Sequence, residues 1–87
     1  MISSPFKCDG AVVTFPDVRI GGKLTIRVEK GTNKVHICIK DEPTSERADI
    51  FLEDGEAIDI IGTDVTLASK IKIVDISGNP WIYWMLT

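Results

Sequence analysis

The chain has 87 residues, 44% of them apolar, and a formal net charge of −3. That is enough for one small domain with a modest core, and no apolar run reaches the roughly 18–20 residues of a membrane span. The opening MISSPFKCDG lacks the apolar stretch of a signal peptide, and two cysteines, Cys8 and Cys38, do not make a disulfide framework. The expectation is therefore an intracellular or virion-associated protein with free thiols and no membrane partner.

Residues 1–10 are polar with Pro5 and read as an N-terminal arm anchored at Phe6. Residues 11–15 (AVVTF) form a short strand stopped by Pro16. Residues 17–20 (DVRI) form a second extended piece, and Gly21-Gly22 a bend. Residues 24–40 read as a hairpin. Leu24, Ile26 and Val28 alternate with polar neighbours, 30–33 (KGTN) turns the chain, and Val35, Ile37 and Ile39 alternate with Lys34, His36, Cys38 and Lys40. Residues 41–46 (DEPTSE) look like a linker with room for a single helical turn near 44–47. Strands at 47–52 and 57–61 flank the turn 53–56 (EDGE), a further short strand covers 64–68, and 71–87 closes the chain as a second hairpin around SGNP.

A shift of 47 residues aligns 11–40 with 58–87 without a gap. Asp17-Val18 meets Asp64-Val65, Ile26 meets Ile73, Gly31 meets Gly78, and Val35, Ile37 and Ile39 meet Ile82, Trp84 and Leu86. The single domain then divides into an arm (1–10), a first β unit (11–40), an acidic connection (41–57) and a second β unit (58–87). Two related units that bury their apolar faces on each other predict an all-β fold, a small antiparallel β-sandwich or barrel.

The repeat also isolates a candidate site. Positions that hold Lys34, His36 and Cys38 in the first unit hold Trp81, Tyr83 and Met85 in the second. Val74 and Ile76 are expected to extend this aromatic face. A contiguous patch of that kind on a small domain marks an interface with another protein or another copy, unless Ile2, Phe6 or the 47–61 segment covers it. Charge adds a second hint. Residues 1–40 carry seven Lys/Arg and three Asp/Glu, and residues 41–87 carry three and ten. Such a split can dock one copy's basic half on another's acidic half, or simply neutralise itself within one domain.

Catalytic and cofactor chemistry has little to stand on. His36 and Cys38 share a strand face, as half a zinc site or a nucleophile pair would, but neither has a visible third member. The acids Glu53, Asp54, Glu56 and Asp59 do not follow a calcium-loop spacing, and Gly21-Gly22 lacks the Lys-Ser/Thr of a phosphate loop. The expectation is a non-enzymatic protein without cofactor or metal. Lys23, Arg27, Lys34, His36 and Lys40 can project from one face of the first hairpin, which is the kind of stripe that phosphate contacts need.

Residues 18–43 add a resemblance. The run Ile20-Gly21-Gly22-Lys23-Leu24-Thr25-Ile26-Arg27-Val28, then Gly31, then Val35-His36-Ile37-Cys38-Ile39, then Pro43, resembles the carbon storage regulator family of bacterial RNA-binding proteins. That resemblance implies RNA binding. The family's RNA-binding arginine lies several residues beyond the proline in a valine-rich strand; Arg47, the candidate here, lies closer to Pro43 than that pattern requires. Two functions are thus expected, in this order. The first is a protein–protein module, a structural, decorating or accessory subunit with viral proteins among the candidates. The second is a small RNA-binding regulator.

Overall fold

A computed structural model of the chain describes residues 3–39 and 41–87. Among these, eight strands form: β1 (Phe6–Lys7), β2 (Val13–Thr14), β3 (Lys23–Val28), β4 (Lys34–Ile39), β5 (Ile50–Glu53), β6 (Ala57–Ile61), β7 (Ile71–Ser77) and β8 (Trp81–Leu86). A single 3-10 turn at Ala68–Lys70 leads into β7. The strands make two four-stranded antiparallel sheets, ordered β1-β8-β3-β6 and β2-β7-β4-β5. The fold is an all-β sandwich, as the alternation predicts.

The pairing has a simple logic. The first strand pairs with the eighth, the second with the seventh, the third with the sixth and the fourth with the fifth. This is one long antiparallel ribbon wound around a core, the arrangement of an eight-stranded jelly roll. Lateral contacts β3·β8 and β4·β7 then close each sheet.

Inward positions are the alternating ones. Leu24, Ile26 and Val28 from β3, Val35 and Ile37 from β4, Ile71 and Ile73 from β7, and Ile82 from β8 are all sealed from solvent. Trp84 is half-buried at the margin of the same cluster. Phe15 packs edge-to-face on both Phe6 and Trp84, with ring centroids 6.1 and 5.8 Å away.

The expected hairpins at 24–40, 47–61 and 71–87 do not form. β3 lies in the first sheet and β4 in the second; β5 lies in the second and β6 in the first; β7 lies in the second and β8 in the first. Each pair is an arch that crosses between layers, and only β4 and β5 are ladder partners in direct succession. The turns explain the crossing. Asn33 is buried and donates to the Glu29 carbonyl, while the Gly31 amide donates to Asp54 on the β5–β6 arch. Gly78 lies at φ +92 in the other arch, and a Cβ there would collide with the Asn33 side chain. Ser77 bonds the Thr32 carbonyl, so the two related arches lock onto each other.

The 47-residue repeat persists through this rearrangement. β4·β7 pairs Val35 with Asp75, Ile37 with Ile73 and Ile39 with Ile71. Shifted by the repeat, these become Ile82 with Val28, Trp84 with Ile26 and Leu86 with Leu24, which are the pairs of β8·β3. The outer pairs slip by one or two residues. Each unit therefore contributes to both sheets, and the pseudo-twofold exchanges one sheet for the other.

Some short strands shrink. The 11–15 strand is reduced to Val13–Thr14, and 17–20 contributes a lone bridge from Arg19 to Leu67. Residues 64–68 make no strand, because Asp64 and Val65 both donate back to the Ile61 carbonyl in a turn. The helical turn near 44–47 appears as a tight turn, with Arg47 donating to the Thr44 carbonyl. No helix among the described residues is long and apolar enough to cross a membrane.

Candidate functional site: the outer face of the first sheet

On β8, Ile82 turns into the core, so Trp81, Tyr83 and Met85 must turn outward. They are 39%, 38% and 58% exposed. Register then decides their neighbours. Lys7 on β1 lies opposite Trp81, Arg27 on β3 opposite Tyr83, and Thr25 opposite Met85. Beyond β3, Ala57 flanks Arg27, Asp59 flanks Thr25 and the half-exposed Ile61 flanks Lys23.

The charges on this face are arranged around the rings. The Arg27 guanidinium sits 5.3 Å from the centroid of Tyr83, and the Lys7 ammonium 6.0 Å from that of Trp81. Lys23 pairs with Asp59 at 3.4 Å, and Thr25 donates to the same carboxylate at 2.7 Å. These bonds hold Asp59 below its ordinary pKa, the Thr25 hydroxyl first and the Lys23 charge after it. Glu29 accepts from the Trp81 amide. Lys7 and Arg27 have no ion-pair partner among the described residues. A shallow depression of about 320 Å³ opens between Arg27, Tyr83, Met85 and Ala57.

The second sheet treats its equivalent positions differently. Cys38 is buried although it points away from the core, because residues 41–47 fold over it. His36 Nδ1 lies 2.7 Å from the Thr44 carbonyl, Cys38 Sγ lies 3.9 Å from that of Arg47, and Pro43 is buried beneath the loop. Asp49 carboxylate accepts from the Ile39 amide, and Arg47 pairs with Asp41 at 2.8 Å. The His36 ring also stands edge-on to Phe51 on β5. The stretch that reads as a linker is thus a cover.

Several sequence-predicted site residues move as a result. Trp81, Tyr83 and Met85 are together and open, as expected. Val74 and Ile76 do not extend their face, because β7 belongs to the other sheet; Val74 is buried there behind His36 and Ile76 is half-buried. The basic stripe is divided. Lys23 and Arg27 lie on the first sheet, Lys34 and His36 on the second, and Arg47 on the covering loop. Lys40 and Ile2 lie outside the described residues. On the first sheet the basic residues lie among aromatic rings, since Arg27 lies over Tyr83. Phe6 does not cover the patch: it is in the core, and Ser3 and Ser4 bond Trp84 along the sheet edge. Sequence reading did not place Lys7, Thr25, Ala57, Asp59 and Ile61 on this face, which they reach through cross-strand register that no local pattern encodes.

Among the described residues, no three His, Cys, Asp or Glu side chains gather as a metal site. Cys8 and Cys38 are unbridged. Burial pushes the Cys8 thiol from its ordinary 9.0 up to about 12, and the carboxylates of Asp75 and Asp9 add to the rise. Between those values the unfolded chain releases the proton and the folded chain keeps it. This thiol's contribution to stability is therefore whole below pH 9 and is lost as pH rises toward 12. Alkylation of Cys8 at pH 8.5 should proceed only as fast as the chain opens; labelling as rapid as that of a free peptide thiol would contradict this placement.

Comparison with protein-family models, curated proteins and solved structures finds no match to this chain. What fold and site define is a class: a jelly-roll β-sandwich with one outer face partly covered by its own loop, which leaves Phe51 and Lys34 exposed, and the other, aromatic face open.

Proposed function

We propose that this chain is a non-enzymatic protein–protein interaction module, a structural, decorating or accessory subunit that docks through the outer face of β8 and β3. One observation carries the reading: Trp81, Tyr83 and Met85 are exposed side by side, whereas His36 and Cys38, the repeat equivalents of Tyr83 and Met85, lie under the 41–47 loop. Tyrosine, tryptophan and arginine are the residues that dominate interface energetics, and here Tyr83 and Arg27 are already in contact. The jelly roll recurs in viral capsid subunits, which agrees with a structural role by fold analogy alone.

RNA binding is the second reading. It is favoured by the same pair, because single strands are held by bases on aromatic rings and phosphates on cations. Against it stand the net charge of −3 and the placement of Lys34, His36 and Arg47 away from the rings.

Molar mass in solution across concentration and salt, with the absorbance ratio of the purified protein, separates the two. A protein interface predicts assembly or partner capture that persists at salt concentrations where nucleic acid dissociates, and an absorbance ratio of protein alone. RNA binding predicts co-purifying nucleic acid, an affinity that falls steeply with salt, and loss with Arg27→Ala but not with Lys34→Ala. A strict monomer at high concentration, with Trp81 shielded from quenchers by its own chain, would overturn the proposal.

A further inference from the structure

We propose that the occupant of the aromatic face is a second copy of this chain, docking head to tail through the outer side of its 41–47 loop. The inference rests on the reading of that face as a protein interface and names the partner.

Two independent observations lead there. The first is charge. On the aromatic face Asp59 is engaged by Lys23 and Thr25, and Glu29 holds the Trp81 amide, so the charges on offer are Lys7 and Arg27. Two such faces brought together would oppose cation to cation. The opposite side of the sandwich carries the complement. In the loop, Arg47 is spent on Asp41, while Glu42 and Glu46 are exposed and have no ion-pair partner among the described residues. The two halves of the sequence are shared between the sheets, with Lys34 and Lys72 on the second, but the unpaired cations among the aromatic rings lie on one side of the sandwich and the unpaired carboxylates of the raised loop on the other.

The second observation is the pseudo-twofold. β8 is the repeat equivalent of β4, and Tyr83 and Met85 take the places of His36 and Cys38. On β4 those two outward positions are covered by residues 41–47, laid across the strand with carbonyls accepting from its side chains. Of these two equivalent pairs of outward positions, the pair on β8 is therefore the one left open for an occupant from another chain. The loop's inner side, with Pro43, is occupied at home, whereas Asp41, Glu42, Thr44, Ser45 and Glu46 are exposed on the outer side.

Contact between two different faces is heterologous. It leaves one face free at each end of a pair, so the contact propagates into a ring if the rotation closes and into an open stack if it does not. A small subunit that decorates or builds a larger surface requires that property. A stable contact needs about 800 Å² per partner. Against a total accessible surface of 5041 Å², that is about a sixth of the molecule, so the contact takes in the strand surface beside the loop as well as the loop itself.

The experiment uses the full chain in sedimentation velocity, with far-UV circular dichroism to confirm that each variant is folded. Wild type should show concentration-dependent assembly. A face variant, Lys7→Glu with Arg27→Glu, and a loop variant, Glu42→Lys with Glu46→Lys, should each associate at least tenfold more weakly. An equimolar mixture of the two should then form a 1:1 dimer and nothing larger, since the face variant keeps an intact loop and the loop variant an intact face. If the face variant abolishes assembly while the loop variant leaves it unchanged, the second-copy loop is wrong as the occupant and the aromatic face stands as an interface. If neither variant alters assembly, both readings fall. Monomeric wild type at every concentration, or nucleic acid co-sedimenting with it, overturns the head-to-tail contact.

Discussion

Phe15→Ala should destabilise the protein by about 3–5 kcal/mol, the range for deleting a buried phenylalanine ring. Phe15 is 2% exposed and lies directly after β2, where its amide donates to the Ile71 carbonyl. Its ring bridges the layers, because Phe6 and Trp84, its two edge-to-face partners, both come from the first sheet. Truncation removes the burial and both ring contacts at once. It also leaves a cavity that two rigid aromatic neighbours cannot easily fill. Domains of this size are stable by only ~5–15 kcal/mol, so the loss would take a large share of the total. Urea unfolding should show the midpoint falling with little change in slope. Phe15→Leu should retain much of the lost stability. A cost below about 1 kcal/mol for the alanine variant would mean that the aromatic cluster does not join the sheets as described.

The inward residues were legible in the sequence because alternation depends only on the two-residue period of a strand. Ile26, Val28, Ile37, Ile73 and Ile82 are completely buried on that basis. The repeat was legible for the same reason, since a 47-residue shift preserves phase, and the central strand registers follow it residue by residue. Strand partnership was not legible. A four-residue turn such as 30–33 can reverse a strand within one sheet or carry it to the other. The choice here rests on the bond from Asn33 to Glu29 within the arch and on the bond from Gly31 to Asp54, which joins it to a separate arch. At 64–68 local turn bonds to Ile61 displaced the strand that apolar spacing suggests.

The site follows the same division. Trp81, Tyr83 and Met85 could be placed on one outward face from β8 alone. Val74 and Ile76 could not, because their location depends on which sheet β7 joins. The loop 41–47 reads as a solvated linker by composition, yet Pro43 is buried and its carbonyls serve His36 and Cys38. Composition reports what a segment's side chains prefer; it does not report what its backbone lies against. That loop covers the His36 and Cys38 positions, which looked polar and open, and leaves their equivalents Tyr83 and Met85 on β8 uncovered.

Tyr83→Ala should weaken association through the first sheet by about 30-fold or more, while changing the free energy of unfolding by less than about 1 kcal/mol. The first figure corresponds to the roughly 2 kcal/mol typical of a central interface tyrosine, at 1.4 kcal/mol per tenfold. The second follows from its position. Tyr83 is 38% exposed, turns away from the core, and its ring contact is with Arg27, which is exposed too. Trp81→Ala should behave likewise, with a smaller effect because it lies nearer the β1 edge. Leu67→Ala, an exposed apolar residue beside the Arg19 bridge and off this face, is the control and should leave association intact. Deleting residues 1–7 is a poorer test than these substitutions. It removes β1 and takes Phe6 out of the core, so it would lower stability whichever way the aromatic face is used. Association measured by sedimentation, beside urea unfolding of the same variants, separates the possibilities. Equal losses of stability and association would place the Tyr83 ring in the domain's own architecture. Unchanged association would move the interface off this face. A large loss of association at nearly constant stability is what an open, preformed docking surface requires.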